Sequence, residues 1–195
     1  MTPQFHSLSV AQVLQETPDA ISILFDVPHQ LAPDYSFNQG QHLTLKATVA
    51  GQEVRRSYSI CSGVQEGQLK VAVKKVNGGV FSTWLHDQLK AGQTLEVMTP
   101  EGHFFTPLNA DQQKHYVAFV AGSGITPAMS MLRSLVAQER LPDSVHIHYA
   151  PHTYDVIFGR ELKEIADRQK LYTLNLVHTR EPGQKPEEIT GKRPH

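Results

Sequence analysis

Along the first hundred or so residues, apolar and polar side chains alternate in short runs separated by turn formers. The runs are Leu8–Val13, Ile21–Phe25, His42–Leu45, Val54–Ile60, Leu69–Val73 and Leu95–Met98. Between them stand Thr17-Pro18-Asp19, Ala32-Pro33-Asp34, Gln39-Gly40, Ala50-Gly51-Gln52, Glu66-Gly67 and Ala91-Gly92. A period of two marks a strand with one face buried, and six such strands predict a small antiparallel barrel of Greek-key type. One segment changes period. After Asn77-Gly78-Gly79, the apolar positions 80, 81, 84, 85 and 89 form a helical stripe.

The alternation stops at Thr99–Leu108, where Pro100 and Pro107 bracket a linker. Beyond it the pattern becomes strand, turn, helix. Tyr116–Val120 is a continuous apolar strand of the kind buried on both faces of a parallel sheet. It runs into Ala121-Gly122-Ser123-Gly124-Ile125-Thr126-Pro127 and then a helix to about Arg140. Thr126 is the expected N-cap and Pro127 the first helical residue. A strand at Val145–Tyr149, a helix at Glu161–Gln169 and a strand at Tyr172–Val177 complete the pattern. The division is a barrel over residues 1–108 and an α/β unit over 112–195, whose three parallel strands are few for a doubly wound sheet.

Three places carry candidate chemistry. In Arg56-Ser57-Tyr58-Ser59, residues two apart on a strand share a face about 7 Å apart, so Arg56 and Tyr58 address one ligand. A guanidinium grips a diphosphate through its planar fork, an aromatic ring stacks on another ring, and Ser59 reaches the ring's edge. Flavin adenine dinucleotide offers all three features. Gly78-Gly79 before a helix leaves backbone amides and the positive dipole end open to an anion, Gly79 allows close approach, and Ser82 adds a hydroxyl. Gly122-Ser123-Gly124 between a strand and a helix is half of a dinucleotide-binding fingerprint, without its third glycine.

Composition narrows the partners. A formal charge of -1 and a pI near 6.8 give no electrostatic case for nucleic acid or an anionic membrane. The N-terminal residues lack the basic and apolar regions of a signal peptide, and no apolar run approaches a membrane span, which points to a cytoplasmic protein. Cys61 is the single cysteine, so this chain cannot hold an iron–sulfur cluster by four thiolates. His146 and His148, the closest pair among 11 histidines, read as structural, and no metal site is expected. Trp84, Tyr35 and Phe37 read as packing residues, and Gly122-Ser123-Gly124 is no nucleophile elbow.

The three motifs, in this order and at about this spacing, resemble the ferredoxin–NADP reductase superfamily. Arg56–Cys61 with Val71–Leu85 is most similar to the branch containing the reductase subunits of bacterial phenylacetyl-CoA oxygenases. The resemblance implies a flavoprotein that passes electrons from NADH or NADPH through FAD to an iron–sulfur protein or oxygenase component. It implies that Arg56 and Ser57 hold the FAD diphosphate region, that Tyr58 stacks on the isoalloxazine, and that Ser59 lies near its N5. Val73 and Lys74 would line the cofactor, and Gly79, Val80, Phe81 and Ser82 would cover the diphosphate. Gly122, Gly124 and Thr126 would bind the nicotinamide dinucleotide, with Thr126 nearest the nicotinamide. Tyr58, Ser59 and Thr126 would orient the reacting atoms. Thr179 and Arg180 would contact the adenosine ribose or its 2′-phosphate. The family's Cys-Gly-Pro-type motif and its C-terminal ferredoxin cysteines have no counterpart in this sequence, so the α/β unit is expected to be truncated. An FAD-binding module without productive nicotinamide binding is the alternative.

Overall fold

The computed structural model describes residues 3–108, 114–138, 144–151, 156–169, 172–177 and 187–190. The six expected strands are present as β1 (Phe5–Thr17), β2 (Ala20–Asp26), β3 (His42–Val49), β4 (Gln52–Ser59), β5 (Leu69–Lys74) and β6 (Thr94–Met98). They form one antiparallel sheet in the order β4-β3-β6-β1-β2-β5. The sheet curls until its two edge strands meet at one end, where Ile60 pairs with Val71 and the Cys61 amide donates to the Lys70 carbonyl at 2.8 Å. Elsewhere β4 and β5 diverge, leaving an open lip. Alternation sends Leu43, Leu45, Val71, Val73, Leu95 and Val97 into the core. Helix α1 (Val80–Gln88) plugs one end with Phe81 and Leu85. Tyr35, expected to pack, is buried, and its hydroxyl donates to the Val97 carbonyl at 2.7 Å.

After the linker come β7 (His115–Ala121), α2 (Ile125–Val136), β8 (Ser144–Ala150), α3 (Gly159–Arg168), β9 (Tyr172–Leu176) and β10 (Glu187–Thr190). The sheet order is β10-β9-β8-β7, with β7, β8 and β9 parallel and β10 antiparallel to β9. This fourth strand was not expected. Two successive right-handed crossovers in one direction put both helices on the same side of the sheet. They bury the face bearing Ile147, Tyr149, Leu174 and Leu176. Consequently β7 is not buried on both faces as its continuous apolar run predicts. Its even-numbered residues turn toward the helices, while Val117 and Phe119 point the other way and are 56% and 79% exposed. No helix among the described residues is long and apolar enough to cross a membrane.

The two halves share a seam. Ala20, Cys61 and Ala72 of the barrel half belong to the same buried cluster as Ile125, Met129 and Leu132 of α2. These barrel residues are small, and small side chains let α2 lie close against the sheet.

Candidate functional site

Where the open lip of the barrel meets the start of α2 there is a cleft of about 1000 Å³. Its walls bring together all three sequence motifs: Arg56–Ser59, Gly79–Ser82, and Gly122–Gly124 with Thr126. The lip explains how β4 supplies its share. Tyr58 and Arg56 pair directly with Leu43 and Leu45, so they point toward the concave side of the sheet. At the divergent edge that side is cleft, not core.

Tyr58 is half-buried and stacks toward Phe81, with ring centroids 6.4 Å apart and planes 24° apart. Phe81 stacks in turn on Trp84 at 5.9 Å, so two core rings back the Tyr58 face of the cleft. Burial pushes the Tyr58 hydroxyl up to about 12 against a smaller opposing pull from Arg56. The phenol therefore stays protonated at neutral pH and serves as a surface and hydrogen-bonding group, not as an acid or base. Ser57 Oγ lies 2.9 Å from Thr44 Oγ1, which ties its side chain to the sheet.

Among the described residues, three cations line the cleft, and their partners differ. Lys74 bridges Asp19 at 3.1 Å, and Lys75 donates to both Asp87 oxygens at 2.7 and 2.8 Å. Burial alone would raise the Asp19 carboxyl, but the Thr17 hydroxyl and Lys74 hold it below the usual carboxylate range. Arg56 donates to the carbonyl of its neighbour Arg55 at 2.7 Å and, among the described residues, pairs with no carboxylate. It is the wall's available cation. Val73 does not share this wall: it turns its side chain into the barrel core with 0% exposure, while its neighbours Ala72 and Lys74 line the cleft.

Two helices begin at the cleft. Before α1, a Cβ on Gly79 would stand 2.7 Å from Ser82 Oγ and 3.1 Å from the Val76 carbonyl, so the turn is too tight for any other residue without rearrangement. The expected hydroxyl of Ser82 faces inward here, accepting from the Val76 amide at 3.1 Å. Before α2, Gly122–Gly124 forms a single 3₁₀ turn, and Gly122 has φ +50°. The helix starts at Ile125, so Thr126 lies inside its first turn instead of capping it. Thr126 Oγ1 donates to the Ser123 carbonyl at 2.9 Å, closing the turn from within. Pro127 falls where a helical amide has no intrahelical acceptor, so it costs no hydrogen bond. From below, the buried Tyr149 hydroxyl donates to the Gly122 carbonyl at 3.0 Å, a support that no local motif announces. Two helix N-termini, an available guanidinium and an aromatic face suit a long ligand with a diphosphate and flat rings. Thr179 and Arg180 lie outside the described residues.

The residues present therefore fit FAD, and comparison with known proteins agrees. Residues 7–120 match the oxidoreductase FAD-binding domain and residues 119–193 the oxidoreductase NAD-binding domain. The chain is 40% identical over 193 residues to a component of the 1,2-phenylacetyl-CoA epoxidase of Escherichia coli (strain K12), covering 93% of this chain and 54% of that protein. It is 38% identical to the ferredoxin reductase component of 3-ketosteroid-9-alpha-monooxygenase from Rhodococcus rhodochrous, covering 88% and 48%. The chain thus spans about half the length of the curated relatives it matches. Among solved structures, phthalate dioxygenase reductase superposes with a TM-score of 0.74 at 28% identity, covering 93% of this chain and 54% of that one. A ferredoxin NADP+ reductase from Neisseria gonorrhoeae with bound FAD and NADP superposes with a TM-score of 0.75 at 23% identity, covering 97% and 73%, a likeness of fold. With its barrel, its Gly-x-Gly α/β unit and the cleft between them, this chain belongs to the oxidoreductase FAD-binding domain family, joined to an oxidoreductase NAD-binding domain.

Proposed function

We propose that the chain is the flavin and nicotinamide portion of an NAD(P)H-dependent reductase that delivers electrons to an iron–sulfur protein or oxygenase component. Residues 1–108 hold FAD and residues 112–195 hold the nicotinamide dinucleotide. The observation that carries this reading is the meeting of the Arg56–Ser59 lip, the Gly79 turn and the Gly122–Thr126 turn in one cleft. Bound in that cleft, FAD would supply the chemistry, the conversion of a two-electron donation into single-electron transfers.

The chain's own residues bind and orient. Arg56 neutralises the diphosphate by charge-assisted hydrogen bonds, and the Val80 end of α1 adds backbone amides. Tyr58, backed by Phe81 and Trp84, presents its ring to the flavin plane. Ser59, at the end of β4, borders the ring's edge. Gly124 lets the nicotinamide nucleotide approach the backbone, and Thr126, anchored to Ser123, fixes the start of α2 beside it. None of these groups needs to move a proton, and the rate gain comes from bringing two rings together in register. The relatives support the acceptor, since those from 3-ketosteroid-9-alpha-monooxygenase and glycine betaine monooxygenase are the reductase parts of those oxygenases.

The test is an anaerobic absorbance scan of the purified protein reconstituted with FAD, followed at about 450 nm as NADH or NADPH is added. Bleaching is the expected result and ranks the two donors. A flavin-loaded protein that neither nucleotide bleaches supports FAD binding without nicotinamide turnover, and a chain that retains no FAD overturns the assignment.

A further inference from the structure

Two rings held by separate halves of a protein react only if the halves keep their angle, and a largely buried guanidinium links them here. Arg133 sits on α2 with 8% of its side chain exposed. Its Nη1 donates across the seam to the Cys61 carbonyl at 2.5 Å. Its Nε and Nη2 grip both oxygens of Glu161 on α3, at 2.7 and 2.5 Å. Glu66 of the barrel half lies 3.8 Å from Nε, and the guanidinium covers the Phe158 ring at 5.1 Å. Burial disfavours this charge, yet Glu161 more than compensates, so it stays ionised. Two serines one residue or one turn away on α2 repeat the crossing: Ser130 Oγ donates to the Ser62 carbonyl at 2.7 Å, and Ser134 Oγ accepts from the Val64 amide at 3.0 Å.

We propose that Arg133 is a positioning residue that sets the angle between the flavin-bearing and nicotinamide-bearing halves. This rests on the reading of the cleft given above. Its two attachments lead straight to the site. Cys61 lies two residues beyond Ser59 on the chain leaving β4, roughly 7 Å along it. Thr126 lies on the same helix as Arg133, about two turns or roughly 10 Å away. A tilt of about 5° around the clasp would shift the start of α2 by about 1 Å. A displacement of that size in a bound pair costs about 100-fold in rate. Lysine cannot replace the fork, because one ammonium cannot engage the Glu161 carboxylate side-on and still reach the Cys61 carbonyl.

The test uses the full chain with spin labels at Glu53→Cys on β4 and Asp167→Cys on α3, both exposed positions. Cys61 is 0% exposed, so the introduced thiols take the label. The pair should give a narrow distance distribution that broadens in Arg133→Ala and broadens partly in Arg133→Lys. In FAD-loaded protein without labels, Arg133→Ala should retain FAD as the parent does and be bleached normally by dithionite. Its limiting rate of bleaching at saturating NADH or NADPH should fall about 10- to 100-fold. An unchanged distance distribution overturns the clasp. A broadened distribution with an unchanged limiting rate overturns its role in positioning. If neither nucleotide bleaches the FAD-loaded parent, the nicotinamide half of the proposed function fails and the positioning role with it, while the distance measurement still decides the clasp. Should Arg133→Ala fail to fold, Arg133→Lys decides by the same two readouts.

Discussion

Gly124→Val separates the fold from the ligand more sharply than any other single change. Unlike Gly122, Gly124 has an ordinary right-handed backbone, with φ -61° and ψ -11°. A Cβ there meets nothing within 4 Å, and the residue lines the cleft. Any side chain therefore grows into ligand space and not into protein. Replacing glycine at a position with compatible dihedrals gains roughly 0.4–1 kcal/mol by restricting the unfolded chain. For a chain of this size, that raises the melting temperature by about 1–4 °C. Gly124→Ala should show this gain, and Gly124→Val should melt at or slightly above the parent temperature. The same isopropyl group fills the space where a dinucleotide must touch the backbone, so NAD(P)H affinity should fall at least about 10-fold, or 1.4 kcal/mol. FAD retention should not change, since the barrel motifs are untouched. The assay is a thermal melt paired with a nucleotide titration of the FAD-loaded protein. If Gly124→Val binds NAD(P)H as tightly as the parent, the turn before α2 is not the nucleotide's site. If the variant unfolds, the open space at Gly124 is wrong.

Three further outcomes follow from the same geometry. Arg56→Ala should weaken FAD binding by about 10- to 100-fold, the worth of a charged hydrogen-bonding group at about 1.5–3 kcal/mol; equilibrium dialysis measures it, and undiminished retention would remove Arg56 from the diphosphate. Tyr149→Phe strips the donor from the Gly122 carbonyl and should cost about 1–3 kcal/mol of stability, with weaker nucleotide binding and unaltered FAD retention; a melt and titration identical to the parent would make the bond incidental. Stability should fall on the alkaline side. Burial pushes the Cys61 thiol from 9.0 to about 12, with Arg133 opposing the shift, so the folded state keeps a proton that the unfolded state releases. The contribution is whole below pH 9 and is lost as pH rises toward 12, at up to about 1.36 kcal/mol per pH unit. Half-buried Tyr58 and buried Tyr149 add the same sign from pH 10 upward. Chemical denaturation of Cys61→Ala between pH 9 and 10 should show a flatter slope than the parent; equal slopes would contradict the buried thiol.

The barrel was legible because each strand carries its own signal: side chains alternate, and turn formers sit at both ends. Arg56 and Tyr58 could be assigned to one face from spacing alone, since a period of two holds along any strand. The same rule could have moved Val73 off the site, because it shares its parity with the buried Val71. Features that depend on distant partners left little trace. The stretch Glu187-Glu188-Ile189-Thr190 has no alternation, and its antiparallel pairing with β9 is set by the neighbouring strand's edge. The exposure of Val117 and Phe119 follows from which side the crossovers take, a property of topology and not of β7's composition. Thr126 reads as a cap because it precedes a proline, but a 3₁₀ turn of two glycines and a serine moves the helix start two residues earlier, from Pro127 to Ile125.

Arg133 shows the limit most clearly. On a helical wheel it is one polar residue beside a buried stripe, and such a residue is ordinarily a solvated face. Its partners are 72 and 28 residues away in the chain, and the nearer contact to the barrel is a backbone carbonyl, which no side-chain pattern can encode. The residues that touch a ligand must present particular chemistry, so they write motifs into the sequence. Those that fix how two halves meet need only reach a carbonyl or carboxylate at the right distance, and many sequences can do that. It follows that a substitution at Arg133 should leave every recognisable motif intact, retain FAD, and still slow the transfer between the two rings.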